Sequence, residues 1–190
     1  MANYFGDDTA KMSGRLSLNP IVHIDPIGSL LVPLMLFLSN SGFLFGWAKP
    51  VPVDPFKLKG GALAYRWVTL AGVVTNLLLA VISALVLKVT TQHLHIGVDN
   101  LGVIFFFSLL QINLVLAIFN SLPFPGFDGW NFLNTFDVIA NLVKKTPLAN
   151  PLFMAQYGLL ISIILLFILL SYISRLFVVV FDLFLRLFGL

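Results

Sequence analysis

The sequence predicts an all-α polytopic membrane protein with short strand-like segments near the membrane interface. Three observations carry this. Of the 190 residues, 59% are hydrophobic and only 10% charged, far from the balance of a soluble domain of this length. A spanning helix takes roughly 20 predominantly apolar residues, and charge-free windows of that size recur at Ile27 to Ala48, Trp67 to Leu87, Asn100 to Phe127 and Thr146 to Ser174. The charges collect between those windows.

Residues 1–26 form a polar entry. "MANYFGDDTAKMSGR" mixes charges and lacks the basic start and short apolar core of a secretion signal. "GRLSLNP" alternates as a strand does and ends at proline. The next window, 27–48, is interrupted by Pro33 and by "SNSG", Ser39 to Gly42, so a broken or re-entrant helix is expected. "GWAKPVPVDP" follows with three prolines and suits an extended edge segment. Extended backbone near a bilayer needs hydrogen-bond partners, so these two strand-like pieces are expected to pair with each other or with a ligand strand.

Residues 67–87 are the cleanest span, with Arg66 and Lys88 at its ends. Ala71, Gly72, Ala80, Ser83 and Ala84 would let a neighbouring helix approach closely, and Asn76 is its one strongly polar interior residue. Residues 101–143 read as a helix broken at 120–129, residues 150–174 as a further span, and 175–190 as an amphipathic tail. In the tail Arg175, Asp182 and Arg186 recur at spacings of seven and four, which puts them on one helical face of an interfacial helix. No repeat or soluble second domain interrupts the chain, so one membrane domain over 1–190 is expected.

The net charge of +3 reads as topology and not as a nucleic-acid surface. Lys49, Lys57, Lys59 and Arg66 flank one connection and Lys144 with Lys145 another, against Lys88 alone in the segment Lys88 to Asp99. The positive-inside rule puts the first two on the cytoplasmic side. The absence of cysteine excludes disulfides and thiolate metal sites.

Asp128 is the most informative residue, because an ionisable group at membrane depth is expensive and marks an ion, proton or substrate path. In "NSLPFPGFDGW" Pro123 and Pro125 remove backbone donors while Gly126 and Gly129 permit unusual backbone angles, so the carboxylate is presented from irregular chain. The alternative is that the helix ends at Asn120 and Asp128 caps the next one at the surface. Asn76, Gln111, Asn113 and Asn120 are polar residues within apolar segments, which could line a site or serve as interhelical hydrogen-bond glue. His23, in "HIDP", reads as a turn-stabilising histidine, and His93 and His95 as part of a solvated loop, with metal binding as the other reading of each. No nucleophilic triad, phosphate loop or dinucleotide fingerprint occurs, and none of the three histidines is followed by glutamate, so the chain has no HExxH.

Taken together, "GRLSLNPIVHIDPIG", "FGWAKPVPVDP", "LAGVVTNLLLA" and "FNSLPFPGFDGWNFL" resemble the compact prokaryotic branch of the site-2 protease family of intramembrane zinc metalloproteases, over most of Ala2 to Leu133. The resemblance implies a site-2 protease-like core in which Asp128 is the third protein ligand of a zinc ion and Asn76 and Asn120 bind substrate backbone. It implies transmembrane protein or peptide substrates such as anchored regulators, cleaved within the lipid bilayer of a prokaryotic plasma membrane, and no nucleic acid. In the family two histidines and the general base come from an HExxH helix that would lie just upstream of Met1. Relative to that pattern the chain reads as N-terminally truncated, or as a pseudo-protease remnant that binds transmembrane helices or a membrane partner without cutting them. Val73 stands where the family usually has proline. A small transporter that uses Asp128 for proton coupling would explain the carboxylate but not the strand-like segments.

Overall fold

The computed structural model describes residues 1–40, 42, 44 and 46–190; Ser41, Phe43 and Phe45, which belong to the first apolar window and its flank, lie outside the described residues. The chain forms two compact units, Met1–Tyr65 and Arg66–Leu190.

In the first unit a short helix, α1 (Thr9–Met12), follows a buried Asp7. The Asp7 carboxylate accepts hydrogen bonds from the Thr9 amide, the Thr9 hydroxyl and, 47 residues away, the Asp54 amide at 2.9 Å. The Lys59 amide donates to the Phe5 carbonyl at 2.7 Å, and the buried Arg15 guanidinium donates to the carbonyls of Lys49 and Pro50. Asp25 caps the turn Pro26–Leu31 by accepting from the Ile27 and Gly28 amides, and this turn leads into α2 (Val32–Leu38). Gly28 is required here, since a Cβ would stand 2.4 Å from the Trp47 indole.

Among the described residues there is no strand, which corrects the reading of "GRLSLNP" and "GWAKPVPVDP". Side chains compete for the backbone in the first: the Ser17 hydroxyl accepts from the Asn19 amide, Asn19 accepts from the Ile21 amide, and Pro20 opens a 3-10 turn, Pro20–His23. The second is irregular backbone that donates from Trp47 to the Gly28 carbonyl and from Lys49 to the His23 carbonyl. Pro50, Pro52 and Pro55 have no N–H with which to continue a ladder. The apolar helix Pro26–Leu38 is also short of a span, because its 13 residues reach about 20 Å against a hydrocarbon core of about 30 Å.

The second unit is built on helices long and apolar enough to cross a membrane. The first, α3 (Gly61–Lys88), continues through a wider turn, Val89–His93. The hydroxyls of Thr69, Thr75, Ser83, Thr90 and Thr91 fold back onto carbonyls three or four residues earlier along the same helical stretch, so these hydroxyls need no outside partner. Asn100 caps α4 (Leu101–Asn120). Ala80, Ala84 and Leu87 of α3 form one buried cluster with Val103, Leu110 and Leu114 of α4, so the small residues of α3 do open a packing face. Two short helices, α5 (Asp128–Leu133) and α6 (Asp137–Val143), follow.

Asn150 and Pro151 then start α7 (Pro151–Phe188), which runs unbroken for 38 residues, about 57 Å. Residues 175–188 of the expected tail are the last stretch of this same helix. Arg186 and Asp182 pair at 2.9 Å on its exposed face, and only Gly189, in the left-handed region at φ 69°, ends it. The Gln92 side-chain amide donates to the Gly189 carbonyl, which joins the far ends of α3 and α7. At the opposite end Arg66 donates to the Thr135 hydroxyl at 2.9 Å and its carbonyl at 3.2 Å, with its guanidinium 4.3 Å above the Phe136 ring.

Candidate functional site

The candidate site is the corner between α4 and α5. α4 stops at Asn120 because Pro123 and Pro125 cannot continue its ladder. The chain reverses through Gly126 at φ 90°, a conformation open to glycine and strained for other residues. Gly129 completes the reversal. A Cβ there would stand 2.3 Å from the Ser121 carbonyl oxygen and 2.6 Å from that of Leu122, so α5 packs on the end of α4 backbone to backbone.

This folding delivers Asp128 to the first position of α5. Asp128 does not cap the helix, since the cap position is Phe127 and no side chain bonds there. It is half-buried, and a Cβ on Gly72 of α3 would lie 3.0 Å from its Oδ2. The bare backbone of Gly72 is therefore the seat of the carboxylate. Among the described residues no hydrogen bond or ion pair engages it.

Asn76 lies one turn beyond Gly72, a spacing that places it on the same face of α3. It is half-buried, and its amide bonds to no described residue. Asn120, the last residue of α4, is also half-buried, and its amide bonds to no described residue. Asn113 is not interhelical glue: it is buried and donates to the Leu109 carbonyl of its own helix at 2.8 Å. Gln111 is exposed. His23 Nε2 lies 2.9 Å from the Ser17 carbonyl, as a turn-stabilising donor would, while His93 and His95 are exposed. Buried Val73, the proline-like position, lines with Leu77, Ala117, Ile118, Leu122 and Leu176 an open apolar cavity of about 230 Å³.

A catalytic zinc takes three protein ligands. Among the described residues no three His, Cys, Asp or Glu side chains come together, so these residues do not by themselves fit a catalytic zinc; Asp128 offers one ligand.

Two features of the site escaped the sequence reading. Gly72 stood out as a helix-packing residue but not as the seat of Asp128, and Ser162 of α7, whose hydroxyl donates to the Pro125 carbonyl, carries no local signal at all.

Comparison with known proteins places this architecture. YwhC of Bacillus subtilis (strain 168), assigned by name to the zinc metalloproteases, is 39% identical over 171 residues, which cover 87% of this chain and 70% of YwhC. Rip2 of Mycolicibacterium smegmatis, named in the same way, is 31% identical over 173 residues, 85% of this chain; the chain spans only 57% of the length of Rip2. No family model and no solved structure matches. With its membrane-length helices, its broken "NSLPFPGFDG" corner and these relatives, the chain belongs to the site-2 protease family of zinc metalloproteases.

Proposed function

We propose that this chain forms part of a zinc-dependent endopeptidase that cleaves transmembrane substrates within the bilayer of a prokaryotic plasma membrane, its basic connections on the cytoplasmic side. The observation that carries this reading is the carboxylate of Asp128, held on irregular backbone against Gly72 with no partner among the described residues. A half-buried acid with no internal partner is stabilised by what binds it, and a metal ion is the ligand the family supplies. The remaining zinc ligands and the general base would have to come from outside these 190 residues.

Asn76 and Asn120 are the substrate-binding candidates. Neither amide bonds to a described residue, and an amide offers the donor and acceptor an unwound peptide backbone needs. The apolar cavity beside Val73 suits an apolar side chain of such a substrate.

The test is cleavage of a membrane-anchored reporter in cells that express the native protein. Loss of cleavage with Asp128→Asn at unchanged protein level supports the reading; cleavage at the wild-type rate refutes it. The second reading, a pseudo-protease that binds transmembrane helices without cutting them, is favoured by the single ligand these residues provide. It predicts capture of the reporter with no cleavage by wild type or variant.

A further inference from the structure

We propose that Ser162 of α7 is a positioning residue for Asp128, so that the long C-terminal helix acts as the latch of the functional corner. The proposal rests on the reading of Asp128 given above and deepens it by naming what holds the group in place.

α7 is largely open along its length, and half of its large apolar side chains are exposed. Its buried residues are few: Gly158, Ser162 and Ile173. Gly158 and Ser162 are four apart and share one face, and both meet Pro125. The Ser162 hydroxyl, 2% exposed, donates to the Pro125 carbonyl, while a Cβ on Gly158 would stand 3.6 Å from the Pro125 Cβ. Pro125 is itself buried, three residues before Asp128.

The chemistry of the bond follows from where the helix is broken. The prolines that end α4 leave carbonyls in the reversal that no helical ladder satisfies, and in apolar surroundings such a group needs a partner. Ser162 supplies one. With Gly129 abutting Ser121 and Leu122 on one side and Ser162 holding Pro125 on the other, the reversal is fixed at two points, and Asp128 follows from it onto Gly72. Because the Ser162 hydroxyl bonds to Pro125 and to neither Asp128 nor Gly72, its effect passes through the loop backbone.

The absence of cysteine allows a direct test by disulfide trapping in membranes. The pair Gly72→Cys with Asp128→Cys reports the seat, and the pair Gln92→Cys with Gly189→Cys reports packing at the far end of the unit. Adding Ser162→Ala is expected to slow trapping at the 72–128 pair about five-fold, the population shift that one net hydrogen bond produces, with the 92–189 pair unchanged and Ser162→Thr restoring the rate. Gly158→Ala, which meets only ordinary contact, should leave both pairs unchanged. Trapping at the 72–128 pair that ignores Ser162→Ala, or an equal loss at both pairs, overturns the proposal. The readout needs no peptidase activity, so a chain that proves not to cleave anything leaves this test intact.

Discussion

Replacing glycine by alanine at three positions grades the corner by how close its neighbours stand. At Gly129 the new Cβ would lie 2.3 Å from the Ser121 carbonyl oxygen, 1.1 Å inside the 3.4 Å at which ordinary contact begins. The obstacle is backbone, so relief requires α5 to move off α4, and Gly129→Ala should destabilise the protein by about 3 kcal/mol, the upper end for an overpacked site. At Gly72 the obstacle is a side-chain oxygen, Asp128 Oδ2, at 3.0 Å. The carboxylate yields by a few tenths of an ångström, and the ~1 kcal/mol by which alanine favours a helix interior roughly offsets the strain. Gly72→Ala should therefore leave stability within about 0.5 kcal/mol of wild type while moving Asp128. At Gly158 the nearest atom is 3.6 Å away, so alanine should be neutral or stabilising by up to ~1 kcal/mol. Denaturant unfolding in detergent micelles measures all three. A Gly129→Ala protein as stable as Gly158→Ala would refute the backbone-to-backbone account of the corner.

Other perturbations probe the rest of the structure. The Thr9 hydroxyl, helped by the Asp54 and Thr9 amides against the opposing effect of burial, holds the Asp7 carboxyl below its usual value of 3.8. A depressed acid contributes stability above its unfolded pKa and loses it as pH falls through the folded value, so exchange protection of the Asp54 amide, corrected for intrinsic rate, should fall below about pH 4. Asp7→Asn should lower that protection at neutral pH and abolish its pH dependence. Arg66→Gln removes the fork to Thr135 and the cation–π contact with Phe136 and should cost ~1–2 kcal/mol, with Arg66→Lys between it and wild type in the same unfolding assay. Asp128→Asn removes a group with no partner among the described residues, so it should leave the unfolding midpoint of the metal-free protein unchanged while abolishing reporter cleavage.

The corner around Asp128 was legible because its devices are local: proline ends a helix and glycine turns a chain wherever they stand. Asp128, Asn76 and Asn120 could be chosen by residue type against an apolar background. The seat at Gly72 and the latch at Ser162 were not legible, since each depends on a contact across 56 or 37 residues of sequence. The strand-like segments misled because alternation in "GRLSLNP" competes with the short-range bonds of Ser17 and Asn19, and the local bonds prevail. The continuity of the tail with the span before it was not legible for a different reason. A change from apolar to amphipathic character marks a change of surroundings and not the end of a helix, and no glycine or proline interrupts α7 between Gly158 and Gly189.

The central claim is that the carboxylate of Asp128 is a metal ligand, and metal content tests it most directly. Protein purified from its native membrane, as wild type and as Asp128→Ala, would be assayed for zinc by mass spectrometry after the two, stripped of metal with a chelator, are shown to unfold at the same denaturant concentration. The account predicts about one zinc per chain in the wild type, as a catalytic site holds, and its loss in the variant. Zinc retained in full by Asp128→Ala, or absent from the wild type, would contradict it.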